Sequence, residues 1–122
     1  MTLQEMYNEI GGDYDRAIRV LRVEKLMDKH IRRLPANGIA ERLIAAWQNR
    51  DATELFESAH AMKGNCANLG LVRLSELASD IAEEFRPGRV RSLSDDALDA
   101  KIREIEALHR RTVEGIKRYE NS

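Results

Sequence analysis

The chain has 122 residues, one cysteine, and 20 Lys+Arg against 21 Asp+Glu for a net charge of -1. That length supports one hydrophobic core over residues 1–122, a lone cysteine excludes an internal disulfide, and the charge balance argues against a nucleic-acid partner. With no apolar run able to span a bilayer and no signal-peptide pattern, the expectation is a soluble cytoplasmic protein without membrane attachment. Leu, Ala, Glu, Arg and Lys are abundant and β-branched runs are absent, which predicts an all-α fold.

Thr2 and Glu5 have capping-box spacing, and Leu3, Met6, Tyr7 and Ile10 share one face before Gly11-Gly12 stops a short N-terminal helix. Asp13 can cap a second segment with Tyr14, Ala17, Ile18 and Leu21 on one face. The pattern shifts phase around Arg22, predicting a bend or break, and resumes as Val23, Leu26, Met27, His30 and Leu34. Pro35-Ala36-Asn37-Gly38 reads as a turn, after which Ile39, Leu43, Ala46 and Trp47 mark a helix ending near Asn49. Asp51 and Glu54 repeat the capping-box spacing ahead of a helix from about Ala52 to Leu69. Its core stripe is Leu55, Ala59, Met62, Cys66 and Leu69, and Gly70 stands where a glycine stop belongs. Leu74, Leu77, Ala78, Ile81 and Phe85 define the next helix, ending at Pro87-Gly88. Ser94-Asp95-Asp96 opens the last, whose face carries Leu98, Ile102, Ile105, His109, Thr112 and Ile116. These segments close most simply as an up-down-up-down antiparallel four-helix bundle with additional short helix at the N-terminus. Four amphipathic helices can bury their faces internally, so a monomer is expected.

The helix of residues 52–69 carries the candidate chemistry, and it holds a glycine in its interior, Gly64, at a cost of about 1 kcal/mol relative to Ala. At 100° per residue His60 points roughly 140° away from the centre of the core stripe, toward solvent. Lys63, Gly64 and Ala67 follow His60 by three, four and seven residues and so share its outer face. One imidazole, one ammonium and two positions too small to obstruct make an accessible patch. A neutral imidazole is a usable nucleophile near neutral pH, and a neighbouring lysine compensates negative charge on an attached phosphoryl group. The chain has no Gly-rich nucleotide loop, so chemistry that needs ATP or a metal must be supplied by a partner.

The run Ala59-His60-Ala61-Met62-Lys63-Gly64-Asn65-Cys66-Ala67-Asn68-Leu69-Gly70-Leu71 closely resembles the signature of histidine-containing phosphotransfer (HPt) domains. Gly11-Gly12-Asp13-Tyr14, Asp51 and the Leu-rich helix after Gly70 extend the likeness over essentially the whole chain. The resemblance implies that His60 is a phosphoacceptor, taking a phosphoryl group from an aspartyl-phosphate receiver domain and passing it to another in a multistep two-component pathway. It implies that Lys63 stabilises the phosphohistidine and that Gly64 lets the receiver approach. It also implies that response-regulator receivers or a hybrid histidine kinase are the partners, and that Mg²⁺ sits on the receiver. The chain itself would need no cofactor and would be a relay without enzymatic turnover.

Other readings stand beside this one. The chain can be a helical-bundle adaptor that is never phosphorylated, or the phosphoacceptor segment of a larger histidine kinase; Met1 and the end at Ser122 favour a stand-alone protein. Phe56 and Glu57, one turn before His60, border the expected docking surface, with Phe56 partly core. Asn68, about 80° around the helix from His60, serves either the site or a cap at the helix end. Cys66 reads as a buried, unreactive thiol. His30 and His109 fall on apolar faces and, with His60, lack zinc-ligand spacing, so no metal site is expected. The pairs Arg110-Arg111 and Lys117-Arg118, interleaved with Glu114 and Glu120, read as a solvated face.

Overall fold

Capping at the first residues shows how local chemistry sets the element boundaries. In the computed structural model, which describes residues 1–122, Thr2 accepts from the Glu5 backbone while Glu5 accepts from the Thr2 N–H. This reciprocal box starts helix α1 (Leu3–Ile10), and Gly11 ends it in the left-handed conformation. Asp13 caps α2 (Tyr14–Leu21) through the Arg16 N–H. The chain breaks at Arg22, whose φ is +76°, before α3 (Glu24–Arg33) and a 3₁₀ turn at Leu34–Ala36. α4 (Ile39–Gln48), α5 (Ala52–Asn68), α6 (Val72–Glu84) and α7 (Asp95–Glu120) follow. There are no strands, and no helix is long and apolar enough to cross a membrane.

The last four helices form the antiparallel bundle. α5 packs on α4 and α6, and α7 closes the square against both. Arg73 pairs with Glu104 and Lys101 with Asp80 along the α6–α7 seam, while Trp47 of α4 donates to Asp99 of α7. α7 is 26 residues long and α6 only 13, so at 1.5 Å per residue α7 overhangs its neighbour by about 20 Å. The N-terminal helices cover that overhang. Gly115 admits Ile10 of α1, Arg111 donates to the Glu9 carbonyl, and Arg118 pairs with the Glu9 carboxylate. Tyr119 donates to Asp28 of α3, with the Arg32 guanidinium 4.9 Å from the tyrosine ring centre. α1–α3 thereby share one continuous apolar core with the bundle.

Two expectations are corrected. The buried face of α3 is Met27, Ile31 and Leu34, whereas Val23, Leu26 and His30 are exposed. Asp51 caps α5 through the Glu54 N–H, but Glu54 does not complete the box because Arg42 takes its carboxylate at 2.6 Å. Arg111 and Arg118 are exposed, as a solvated face requires, and in addition tether α7 to α1. His109, expected on the apolar face of the last helix, is half-buried between α4 and α7, where desolvation lowers its pKa against a smaller opposing effect from Glu41.

The α6–α7 connection is held by a carboxylate that no local pattern announced. Glu84, buried, accepts from the Ser92 hydroxyl at 2.7 Å and from the backbone N–H groups of Ser92 and Leu93 at 2.8 and 3.1 Å. These bonds, the Ser92 hydroxyl foremost and Arg89 least, outweigh the opposing effect of burial and hold its pKa below the ordinary 4.5. A depressed folded-state pKa stabilises above the unfolded value and loses that contribution as pH falls through the folded one. Glu84→Gln is therefore expected to lower stability by about 1–3 kcal/mol at neutral pH. The gap between wild type and variant in urea midpoint should narrow as pH falls below about 4.5.

Candidate functional site

α5 positions every candidate residue on one helix. Leu55, Ala59, Met62 and Cys66 are buried, and Leu69 just past the helix end joins them. This stripe fixes the helix rotation and leaves His60, Lys63, Gly64 and Ala67 exposed on the opposite side. Burial also pushes the Cys66 thiol up to about 12, which removes it from thiolate chemistry. Glu57 is exposed one turn before His60, and Phe56 is half-buried and packed on the core.

Gly64 is helical and open: a Cβ built there meets nothing within 4 Å outside its own helix. Close helix packing therefore does not account for it. Because helical side chains lean back toward the preceding turn, any side chain at this position leans over His60. Gly64→Gln is expected to preserve or raise stability, by up to about 1 kcal/mol, while slowing any reaction that brings a second macromolecule to His60 by about tenfold or more. Paired urea melts and single-turnover phosphotransfer assays check this; an unchanged transfer rate would remove the access role.

The imidazole of His60 stacks on the ring of Phe56, with centroids 5.7 Å apart and planes 18° from parallel. An aromatic pair four residues apart on one helix is a readable signal, but Phe56 reads in sequence as part of the docking border and this contact is absent from that reading. A second unanticipated feature is Ser75 of α6, whose hydroxyl donates to the Lys63 carbonyl at 3.0 Å and ties α6 to the turn bearing the lysine.

Asn68 is the last residue of α5 and is exposed. The C-terminal cap is made instead by backbone, with the N–H groups of Leu69, Gly70 and Leu71 donating to Asn65, Ala67 and Cys66 carbonyls. Ala67 and Asn68 line a shallow groove of about 320 Å³ together with Arg16 and Val20 of α2 and Val72, Ser75 and Glu76 of α6. The groove continues the His60 face toward the N-terminal helices, because Ala67 lies two turns beyond the histidine. No group of three or more His, Cys, Asp or Glu side chains converges in a way that could hold a metal ion.

The arrangement is thus a solvent-facing imidazole with an aromatic ring against one face, a lysine one turn on, and bare backbone beside it. Such a site offers an accessible nucleophilic nitrogen with a cation one turn away. Residues 35–113 match the protein family described as Hpt domain, a span that takes in α4, α5, α6 and most of α7. No match was found to a curated protein or to a solved structure.

Proposed function

The chain belongs to the Hpt domain family of phosphorelay histidine phosphotransfer modules, and we propose that His60 is its phosphoacceptor, exchanging a phosphoryl group with the aspartyl phosphate of receiver domains. The observation that carries this reading is the exposed His60 with Lys63 and the unobstructed Gly64 on one face of α5. A ring nitrogen lone pair of neutral His60 attacks phosphorus. The P–N bond forms as the acyl-phosphate P–O bond breaks, and the aspartate leaves as its carboxylate with the bonding electrons. The proton on the other ring nitrogen stays in place, and the reverse step passes the group onward. Lys63 places positive charge beside the dianionic phosphoryl group.

The receiver supplies the acidic pocket and Mg²⁺, and this chain supplies a nucleophile on a rigid helix, acting as a monomer. Glu57 and Ala67 border the docking surface, with Gly64 at its centre and Asn68 at its lower rim. The domain comprises residues 1–122, since α1–α3 share the core of the bundle. The test is incubation with Mg²⁺ and receiver domains carrying labelled aspartyl phosphate, followed by acid and alkali treatment of the product. Acid-labile, alkali-stable label on the chain is expected; failure to take label from a panel of receivers would overturn the reading and leave a non-phosphorylated adaptor.

A further inference from the structure

Nucleophilic attack uses the lone pair in the plane of the imidazole, so the orientation of that plane decides whether an incoming phosphorus meets a ring edge or a ring face. No side-chain hydrogen bond or salt bridge in the structure involves His60, and the side chain is exposed. Its aromatic partner is Phe56, in an offset stack with 5.7 Å between centroids and 18° between planes. Phe56 is itself anchored, half-buried against the core of the bundle, so it is a fixed platform rather than a second mobile ring.

The helix supplies the directionality. A side chain at position 60 leans toward the preceding turn, where Phe56 stands, and the position that would lean over it from the following turn is Gly64, which has no side chain. The Phe56 ring therefore stands against one side of the imidazole, and position 64 puts no side chain over it from the following turn. An offset stack of this kind contributes about 0.5–1.5 kcal/mol, enough to restrict a surface side chain that otherwise samples several rotamers.

We propose that Phe56 is the positioning residue of the phosphotransfer site: its ring holds the His60 imidazole edge-outward for in-line attack. This rests on the assignment of His60 as phosphoacceptor and adds to it the group that orients the nucleophile. It also gives Phe56 a role distinct from docking. A docking contact acts on the receiver concentration needed for half-maximal transfer, whereas a positioning contact acts on the rate once the complex has formed.

The experiment compares wild type with Phe56→Leu, which keeps an apolar anchor but removes the ring, and Phe56→Tyr, which keeps the ring. Two readouts are taken: proton NMR shifts of the His60 ring in the free protein, and single-turnover transfer from a phosphorylated receiver over a range of receiver concentrations. In Phe56→Leu the ring-current displacement of the His60 protons should disappear and the saturating transfer rate should fall about tenfold, with the half-saturating concentration within about twofold of wild type. Phe56→Tyr should restore both. Wild-type saturating rates in Phe56→Leu, or a change in half-saturation alone, would overturn the positioning role while leaving His60 as phosphoacceptor. Absence of label on wild type would instead overturn the underlying assignment and the positioning role with it. A urea midpoint for Phe56→Leu confirms that the compared variants are folded.

Discussion

His60→Gln is expected to take no label from any phosphorylated receiver while melting within about 3 °C of wild type. The imidazole is exposed, makes no side-chain hydrogen bond or ion pair and has one aromatic partner, so little folding free energy depends on it. Glutamine is a good helix former, which keeps α5 intact. The loss of transfer should be complete because neither remaining histidine reproduces the site. His30 is exposed and has Arg33 three residues on, but Leu34 occupies the place that Gly64 holds relative to His60. His109 is half-buried in the groove between α4 and α7, with Thr112 and Val113 at the corresponding positions. Each lacks either the bare backbone or the exposure that a docking receiver needs. Label that persists in His60→Gln and disappears on a further His30→Gln change would transfer the phosphoacceptor role to α3 and overturn the assignment made here.

Much of this site is legible in sequence because it is local. His60, Lys63, Gly64 and Ala67 lie on one helix, and a 3.6-residue period suffices to place them together and facing outward. The Phe56 stack is equally local, four residues back, yet a half-buried aromatic is more readily assigned to the core than to the neighbouring imidazole. Features that need a tertiary partner are not legible. In α3 the apolar residues fit two stripes, and the one buried is selected by the turn at Arg22, which sets how α3 rotates onto α7. The half-formed cap at Asp51 depends on Arg42 reaching Glu54 from another helix. The Glu84 clamp depends on a loop returning eight and nine residues later with two free N–H groups. The end of α5 at Gly70 was clear from the glycine itself, but not what else that glycine does.

Gly70 is where the N-terminal helices meet the helix that carries the site, and Gly70→Ala is expected to destabilise the protein by about 3–4 kcal/mol. Two costs combine. The residue has φ +71°, a left-handed conformation that costs an L side chain roughly 1–2 kcal/mol. In addition, a Cβ at Gly70 would sit 2.3 Å from the Asp13 carbonyl oxygen and 3.2 Å from the Ala17 Cβ. The first of these is backbone and cannot swing aside, so α2 has to back away from the α5–α6 turn. That movement stretches the bond in which the Asp13 N–H donates to the Gly70 carbonyl at 2.8 Å, and it strains the neighbouring Tyr7 hydroxyl bond to the Leu69 carbonyl, also 2.8 Å. Gly38 provides the internal control. Its φ is +72°, yet a Cβ there meets nothing within 4 Å, so Gly38→Ala should lose about 1 kcal/mol from conformation alone. Urea melts of the two variants separate the conformational cost from the packing cost, because the first is common to both. A difference of about 2 kcal/mol measures how firmly α2 is seated on the end of α5; equal losses would show that this seating contributes nothing to stability. Since a domain of this size is stable by only about 5–15 kcal/mol, the larger loss removes a substantial part of the margin that keeps α5 in the phase that leaves His60 exposed.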